Sequence, residues 1–206
     1  MLIIHHRRNR IKELQKTPIH YGVEIDIRSQ NDTLILSHDP FSKEAPLFEE
    51  WLQHFHHAFL ILNVKEEGLE EKILSLLRKR DIKNYFFLDQ SFPFLIKTAS
   101  LGEKRVALRI SEFEPLETSF RFVASFLITG STWIWIDCFH RFWLNEWHIK
   151  ELKERGFRLC LVSPELQGRH NKKEILQIKS QLKNWDYSID AVCTKKPSLW
   201  LLEELS

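Results

Sequence analysis

Short apolar runs alternate with helical stretches along almost the whole chain, and this rhythm constrains the fold more than any other feature. The runs are Leu2–His6, Gly22–Arg28, Phe59–Val64, Tyr85–Asp89, Arg105–Ile110, Trp133–Cys138, Phe157–Val162 and Ala191–Thr194. Most are continuous in apolar residues, as in FLILNV and WIWID. Continuous runs suit parallel strands covered on both faces, whereas an antiparallel sheet with one wet face would alternate apolar and polar residues.

The segments between the runs carry helical spacing. EEGLEEKILSLLRKR sets Leu69, Ile73, Leu76 and Leu77 on one face, LNEWHIKELKERG ends in basic residues and a glycine stop, and NKKEILQIKSQLKNW and PSLWLLEEL behave similarly. From Ser111 to Thr132 the pattern is weakest. Strand and helix repeated about eight times predict an α/β fold, a compact (β/α)8 TIM barrel over residues 1–206. The rival is an open doubly wound sheet, but the six glycines are isolated and make neither GxGxxG nor GxxxxGK[ST]. GVEIDIRSQNDTLILSHDP interrupts the rhythm with a polar turn at Ser29–Asp32 and a second apolar run, Leu34–Leu36. It predicts a small β excursion after the second barrel strand.

Composition narrows the partners. Thirty Lys and Arg face 28 Asp and Glu for a net charge of +2, with no block of like charge, so nucleic acid is not an expected partner. No stretch approaches the roughly 20 apolar residues of a membrane span, and the apolar start MLII is too short for a signal peptide. Three cysteines, Cys138, Cys160 and Cys193, cannot all pair with one another, and the chain reads as cytoplasmic and reduced.

The chemistry gathers between Gly22 and Asp39. Side chains two apart on a strand share a face, so Glu24 and Asp26 project together while Val23, Ile25 and Ile27 project the other way. Near the C-terminal end of a barrel strand, such a pair repels itself unless a cation lies between, and hard oxygen donors suit Mg2+ or Ca2+. The bland alternative is two solvated carboxylates on an exposed face. Three strand ends bring further chemistry to the same rim: His6 closes the first run, His38 and Asp39 close the excursion, and Lys65 follows the third run on the face of Asn63. Beside a cation, Lys65 would supply positive charge for a phosphate oxygen. His20, His54, His56, His57, His140, His148 and His170 read as surface or satisfied core residues. Asp89, Arg109, Asp137 and Glu165 also follow apolar runs, where caps and loop ion pairs are the ordinary reading, and Asp89 or Asp137 could add carboxylate charge to the rim. Trp133 and Trp135 read as barrel packing.

HHRR, GVEIDI, LSHDP, LNVK and DAVCTKKP, in that order, resemble the glycerophosphodiester phosphodiesterases, whose pattern runs HRG, ExD, HD, an ExK strand and a closing strand like D-G-I-x-T-D-x-P. The resemblance covers most of the chain, with its specific motifs within residues 1–65. It implies a metal-dependent phosphodiester hydrolase acting on a glycerophosphodiester-like small molecule or headgroup. His6 and His38 would be the general acid and base, and Glu24, Asp26 and Asn63 would hold a divalent cation, Mg2+ or Ca2+. Arg7 and Lys65 would contact the phosphate, and Asp39 would support the His38 loop.

Three differences stand out. Asn63 replaces the carboxylate of the lysine strand, Arg8 replaces the glycine after His-Arg, and the segment P-E-N-T gives way to the shorter NRIKELQKTP. Arg8 is expected to add positive charge to the mouth beside Arg7 and Lys65. The alternative these differences raise is a barrel that binds a phosphorylated ligand without cleaving it. A metal-free glycosidase using Glu24 and Asp26 ranks below both, because carboxylates two apart on one strand cannot flank a scissile bond.

Overall fold

The computed structural model describes residues 1–42, 44–126, 132–185 and 188–201. The described chain forms two compact units, His5–Ala107 and a second made of Met1–Ile4 with Leu108–Ser206.

The first elements are β1 (Leu2–His5), α1 (Ile11–Gln15), β2 (Gly22–Gln30), β3 (Thr33–Leu36), α2 (Phe48–Trp51), β4 (Phe59–Val64), α3 (Glu70–Lys79), β5 (Tyr85–Leu88) and α4 (Phe92–Ser100). Within the unit His5–Ala107, β2, β4 and β5 are parallel neighbours, with Asp26 opposite Asn63 and Asn63 opposite Leu88. Every residue of β4 and β5 is buried. A strand covered on both faces gains from apolar residues at every position, which is why FLILNV does not alternate. On α3, Ile73 and Leu77 are buried one turn apart, acidic residues open the helix and Arg78 and Lys79 close it, in line with the helix dipole.

The expected excursion is β3, antiparallel to β2. The ladder reaches Gln30 opposite Thr33, so the turn is Asn31–Asp32 and not the four-residue Ser29–Asp32. Asn31, the first of the two turn residues, has φ +53°, the positive value that a two-residue hairpin turn requires there.

The second unit continues the alternation with β6 (Ala107–Ile110), α5 (Leu116–Phe126), β7 (Trp133–Ile136), α6 (Glu146–Glu154), β8 (Arg158–Val162), α7 (Lys172–Lys183), β9 (Ala191–Thr194) and α8 (Pro197–Trp200). Within it the strand order is β1-β9-β8-β7-β6. Asn145 and Asn171 cap α6 and α7 by accepting backbone N–H groups of His148 and Lys173. Trp133 and Trp135 are buried, as core packing demands. α5 fills part of the weakly patterned stretch after Ser111, whose residues 127–131 lie outside the described residues. The helix expected in PSLWLLEEL is observed over Pro197–Trp200, and Leu202–Leu205 lie outside the described residues.

Eight strands each followed by helix or turn, plus the antiparallel β3, are the (β/α)8 barrel pattern. Several strands stop short of the expected ends: β1 at His5, β5 at Leu88 and β7 at Ile136. At β5 the reason is visible, because Asp89 takes φ +60° and leaves the ladder. All three cysteines are buried. Among the described residues no helix is long and apolar enough to cross a membrane.

Candidate active site

β2 delivers Glu24 and Asp26 to one buried face, where they are 0% and 1% exposed. The solvated-face alternative is thereby excluded. Glu24 Oε2 accepts the Arg7 backbone N–H at 2.7 Å, and Oε1 accepts Asn63 Nδ2 at 3.0 Å. His6 Nε2 stands 3.7 Å from Oε2. Asp26 Oδ2 accepts Asn9 Nδ2 at 2.9 Å, and the Asp26 backbone N–H returns a bond to Asn9 Oδ1 at 2.9 Å. Two cations flank the same carboxylate, Arg7 Nε at 3.3 Å and Lys65 Nζ at 3.5 Å. Burial and the neighbouring Asp26 charge push Glu24 up to about 7, against the Asn63 and Arg7 hydrogen bonds and the Lys65 charge, which favour its ionised form.

Arg7 has φ +52°, an uncommon conformation for a residue with a Cβ. Its backbone faces Glu24 while its side chain pairs with Asp26. Arg8, expected at the mouth, instead turns aside. Its Nε donates to Thr17 Oγ1 at 3.1 Å, its Nη1 to the His6 carbonyl at 3.3 Å, and its Nη2 lies 3.0 Å from His5 Nδ1. The left-handed residue of this loop is Arg7, so position 8 does not need a glycine, and the guanidinium has neutral acceptors next to it. Burial, the Arg8 charge, and His57 and His20 behind it lower His5 to about 4, which keeps Nδ1 an acceptor for Arg8.

His38 and Asp39 sit at the end of the excursion, where His38 Nδ1 is 2.8 Å from Asp39 Oδ1. That hydrogen bond, with the His38 charge, holds the Asp39 carboxyl below its usual range. The loop is tied to the carboxylate strand by its backbone, since Ser37 N–H donates to the Asp26 carbonyl at 3.1 Å and Arg28 Nε donates to the His38 carbonyl at 3.1 Å. Arg28 also pairs with Glu66, and Glu66 accepts both the Ser29 N–H at 2.9 Å and the Ser29 hydroxyl at 2.6 Å. His6, Arg7, Glu24, Asp26, Asn63 and Lys65 thus meet through side chains, whereas His38 and Asp39 join through the loop that carries them.

Sequence reasoning missed Asn9 and Arg28. Asn9 follows the HHRR motif by one residue, but its partner lies 17 residues on and no local pattern links them. Arg28 ends the predicted strand as an unremarked charge. Of the other rim candidates, Asp89 meets Lys65 Nζ at 3.3 Å. Asp137 pairs with Arg109 and Gln167, and Glu165 accepts from Ser163, Thr194 and the Lys195 N–H, which matches the cap and ion-pair reading. His57 is a buried core residue whose Nε2 lies 2.8 Å from the Thr17 carbonyl.

The fold is that of the glycerophosphodiester phosphodiesterase barrels. A candidate glycerophosphoryl diester phosphodiesterase of Agrobacterium tumefaciens superposes with a TM-score of 0.70 at 12% identity, over 97% of this chain and 95% of that one. A glycerophosphodiester phosphodiesterase of the same organism gives 0.66 at 14%, over 97% of each chain. One from Parabacteroides distasonis gives 0.64 at 13%, over 97% of this chain and 84% of that one. No family model and no curated protein sequence matches the chain.

The residues fit the divalent cation that the resemblance implies. Asp26 Oδ1 and Asn63 Oδ1 are buried without a hydrogen bond, beside a Glu24 carboxyl that burial keeps from ionising easily. Among the described residues no group of three or more His, Cys, Asp and Glu could hold a metal ion. Here the third oxygen donor is an amide, so the set is two carboxylates and a carboxamide, all hard oxygens.

Proposed function

We propose that this chain is a metal-dependent phosphodiester hydrolase acting on a glycerophosphodiester-like small molecule or headgroup. The observation that carries the reading is a fully buried Glu24–Asp26 pair with Arg7, Lys65 and His6 against it, on a fold shared with the phosphodiesterases named above.

Arg7 and Lys65 bind the phosphate and offset its charge as it grows in the transition state. His6 and His38 divide the proton transfers: one takes the proton of the nucleophile, water or a neighbouring hydroxyl of the substrate, and the other delivers one to the leaving alkoxide. Asp39, bonded to His38 Nδ1, fixes the ring so that its other nitrogen faces the reaction. A divalent cation, Mg2+ or Ca2+, held by Glu24, Asp26 and Asn63, would act as a Lewis acid on a phosphate oxygen. Glu24 must be ionised to hold it, so cation affinity rises with pH through the range near 7 in which the metal-free carboxyl loses its proton.

The test is turnover of bis-p-nitrophenyl phosphate and of glycerophosphodiesters, with EDTA or with added Mg2+. The expected result is EDTA-sensitive release that falls by about 10²–10⁴-fold in His6→Ala and in His38→Ala while circular dichroism is unchanged. Full activity in either variant overturns the assignment. Cation binding without turnover favours the phosphate-binding barrel, which the neutral Asn63 supports.

A further inference from the structure

We infer that Asp89 is the positioning residue for Lys65, and that it returns from the next strand the carboxylate charge that β4 lacks at Asn63. The inference rests on the phosphodiesterase reading and adds a residue to it.

The geometry begins with the register. Asn63 lies opposite Leu88, so Asp89 follows immediately beyond the ladder, level with the end of β4 where Lys65 emerges. Lys65 Nζ stands between two carboxylates on either side of its strand, Asp26 Oδ1 at 3.5 Å and Asp89 Oδ2 at 3.3 Å. Neither distance is the 2.7–2.9 Å of a tight charge-assisted bond. The ammonium is shared and not captured, and of its three donors one remains to meet a phosphate oxygen. A free lysine side chain samples many rotamers, so a hold shared by two carboxylates narrows where its charge can sit.

Asn63 cannot do this work. Its Nδ2 is committed to Glu24, and a neutral amide oxygen attracts an ammonium far less than a carboxylate does. The backbone at Asp89 supports the assignment. Its φ of +60° is left-handed, a conformation that aspartate tolerates better than most residues with a Cβ. This left-handed turn ends the β5 ladder and leaves the Asp89 carboxylate 3.3 Å from Lys65 Nζ. A cavity of about 260 Å³ opens at this point, lined by Lys65, Asp89, Glu66, Glu70, Gln90 and Ser91, and gives ligand atoms room beside the ammonium.

Asp89→Asn tests the inference, because asparagine tolerates the left-handed backbone and nearly keeps the volume while losing the charge. With bis-p-nitrophenyl phosphate at saturating Mg2+, kcat should fall by about 10-fold to 10²-fold with KM changed less than about 2-fold. Adding Asn63→Asp to that variant, which restores a carboxylate two residues before Lys65, should recover kcat to within about 3-fold of wild type. Wild-type kinetics in Asp89→Asn, a change confined to KM, or no recovery in the double variant overturns the inference. A second readout needs no turnover: the ¹³C methyl groups of Lys65 labelled by reductive methylation should relax as those of a more mobile side chain in Asp89→Asn, and unchanged relaxation overturns the inference. If the wild-type chain cleaves no phosphodiester but Lys65 loosens in the variant, the phosphodiesterase reading fails and the hold of Asp89 on Lys65 stands.

Discussion

Replacing Glu24 with glutamine isolates the energetic cost of burying two carboxylates on one strand. In the folded chain burial and the Asp26 charge hold Glu24 up to about 7, against 4.5 in its ordinary state. Between those values the folded chain binds more protons than the unfolded one, so stability falls as pH rises through the window and is level on either side. The difference corresponds to about 3 kcal/mol, since one pH unit of displacement is about 1.4 kcal/mol. Glutamine keeps an oxygen for the Arg7 N–H. Its new NH2 can be accepted by Asn63 Oδ1, now without a partner, if the Asn63 amide turns over. The gap between Glu24→Gln and wild type should therefore widen in favour of the variant by about 3 kcal/mol between pH 4 and pH 8 in EDTA. For a chain of this size that is roughly 6–12 °C in Tm. Comparing the two proteins at each pH cancels any constant difference in hydrogen bonding. A gap that does not change with pH, or that closes as pH rises, refutes the reasoning. Mg2+ at about 100 times its Kd should return about 2.7 kcal/mol to wild type at pH 8 and far less to the variant.

Three further expectations concern the surroundings of the pair. Asn9→Ala removes both bonds to Asp26 and leaves its buried backbone N–H unpaired, so urea denaturation should show a loss of about 2–3 kcal/mol. His5 acts in the opposite pH direction from Glu24. Burial and Arg8 hold it at about 4, the folded chain binds fewer protons than the unfolded one from 6.5 down to that value, and stability is lost as pH falls through this window. His5→Gln, which keeps an acceptor for Arg8, should flatten that part of a Tm-against-pH curve. Burial pushes the Cys138 thiol up to about 12, and all three thiols are buried, so a thiol reagent at pH 8 should titrate none in the native chain and three in urea.

The strands were legible because their burial is two-sided. FLILNV and WIWI are apolar at nearly every position, a pattern that survives without knowledge of neighbours. Glu24 and Asp26 were legible for the complementary reason: carboxylates at period two in an apolar strand must share a face. What was hidden depends on backbone conformation and on partners distant in sequence. Nothing local marks Arg7 or Asp89 as left-handed, and these φ values decide where the first loop and the β5 end point their side chains. Asn9 reads as an ordinary loop residue until the fold brings it beside Asp26. Arg8 misled because a charge next to a site motif invites a ligand role, yet Thr17 and His5 offered it nearer acceptors.

The positions of strain connect these observations. Among the described residues, Arg7, Asn31, Phe41, Asp81 and Asp89 are the non-glycine residues with positive φ. Asn31 and Asp81 have the short polar side chains that such turns tolerate. Arg7 has no such relief, and it is held by the bond from its backbone N–H to Glu24 and by its pairing with Asp26. Asp89 is held in turn by Lys65, which also reaches Asp26. The buried pair therefore opposes folding through its own desolvation while giving the left-handed Arg7 partners to bind and, through Lys65, reaching Asp89. Two cations are thus held against one buried carboxylate, Arg7 and Lys65 against Asp26, where they offset the cost of its burial, and on the proposed reading the same positive charge meets the phosphate.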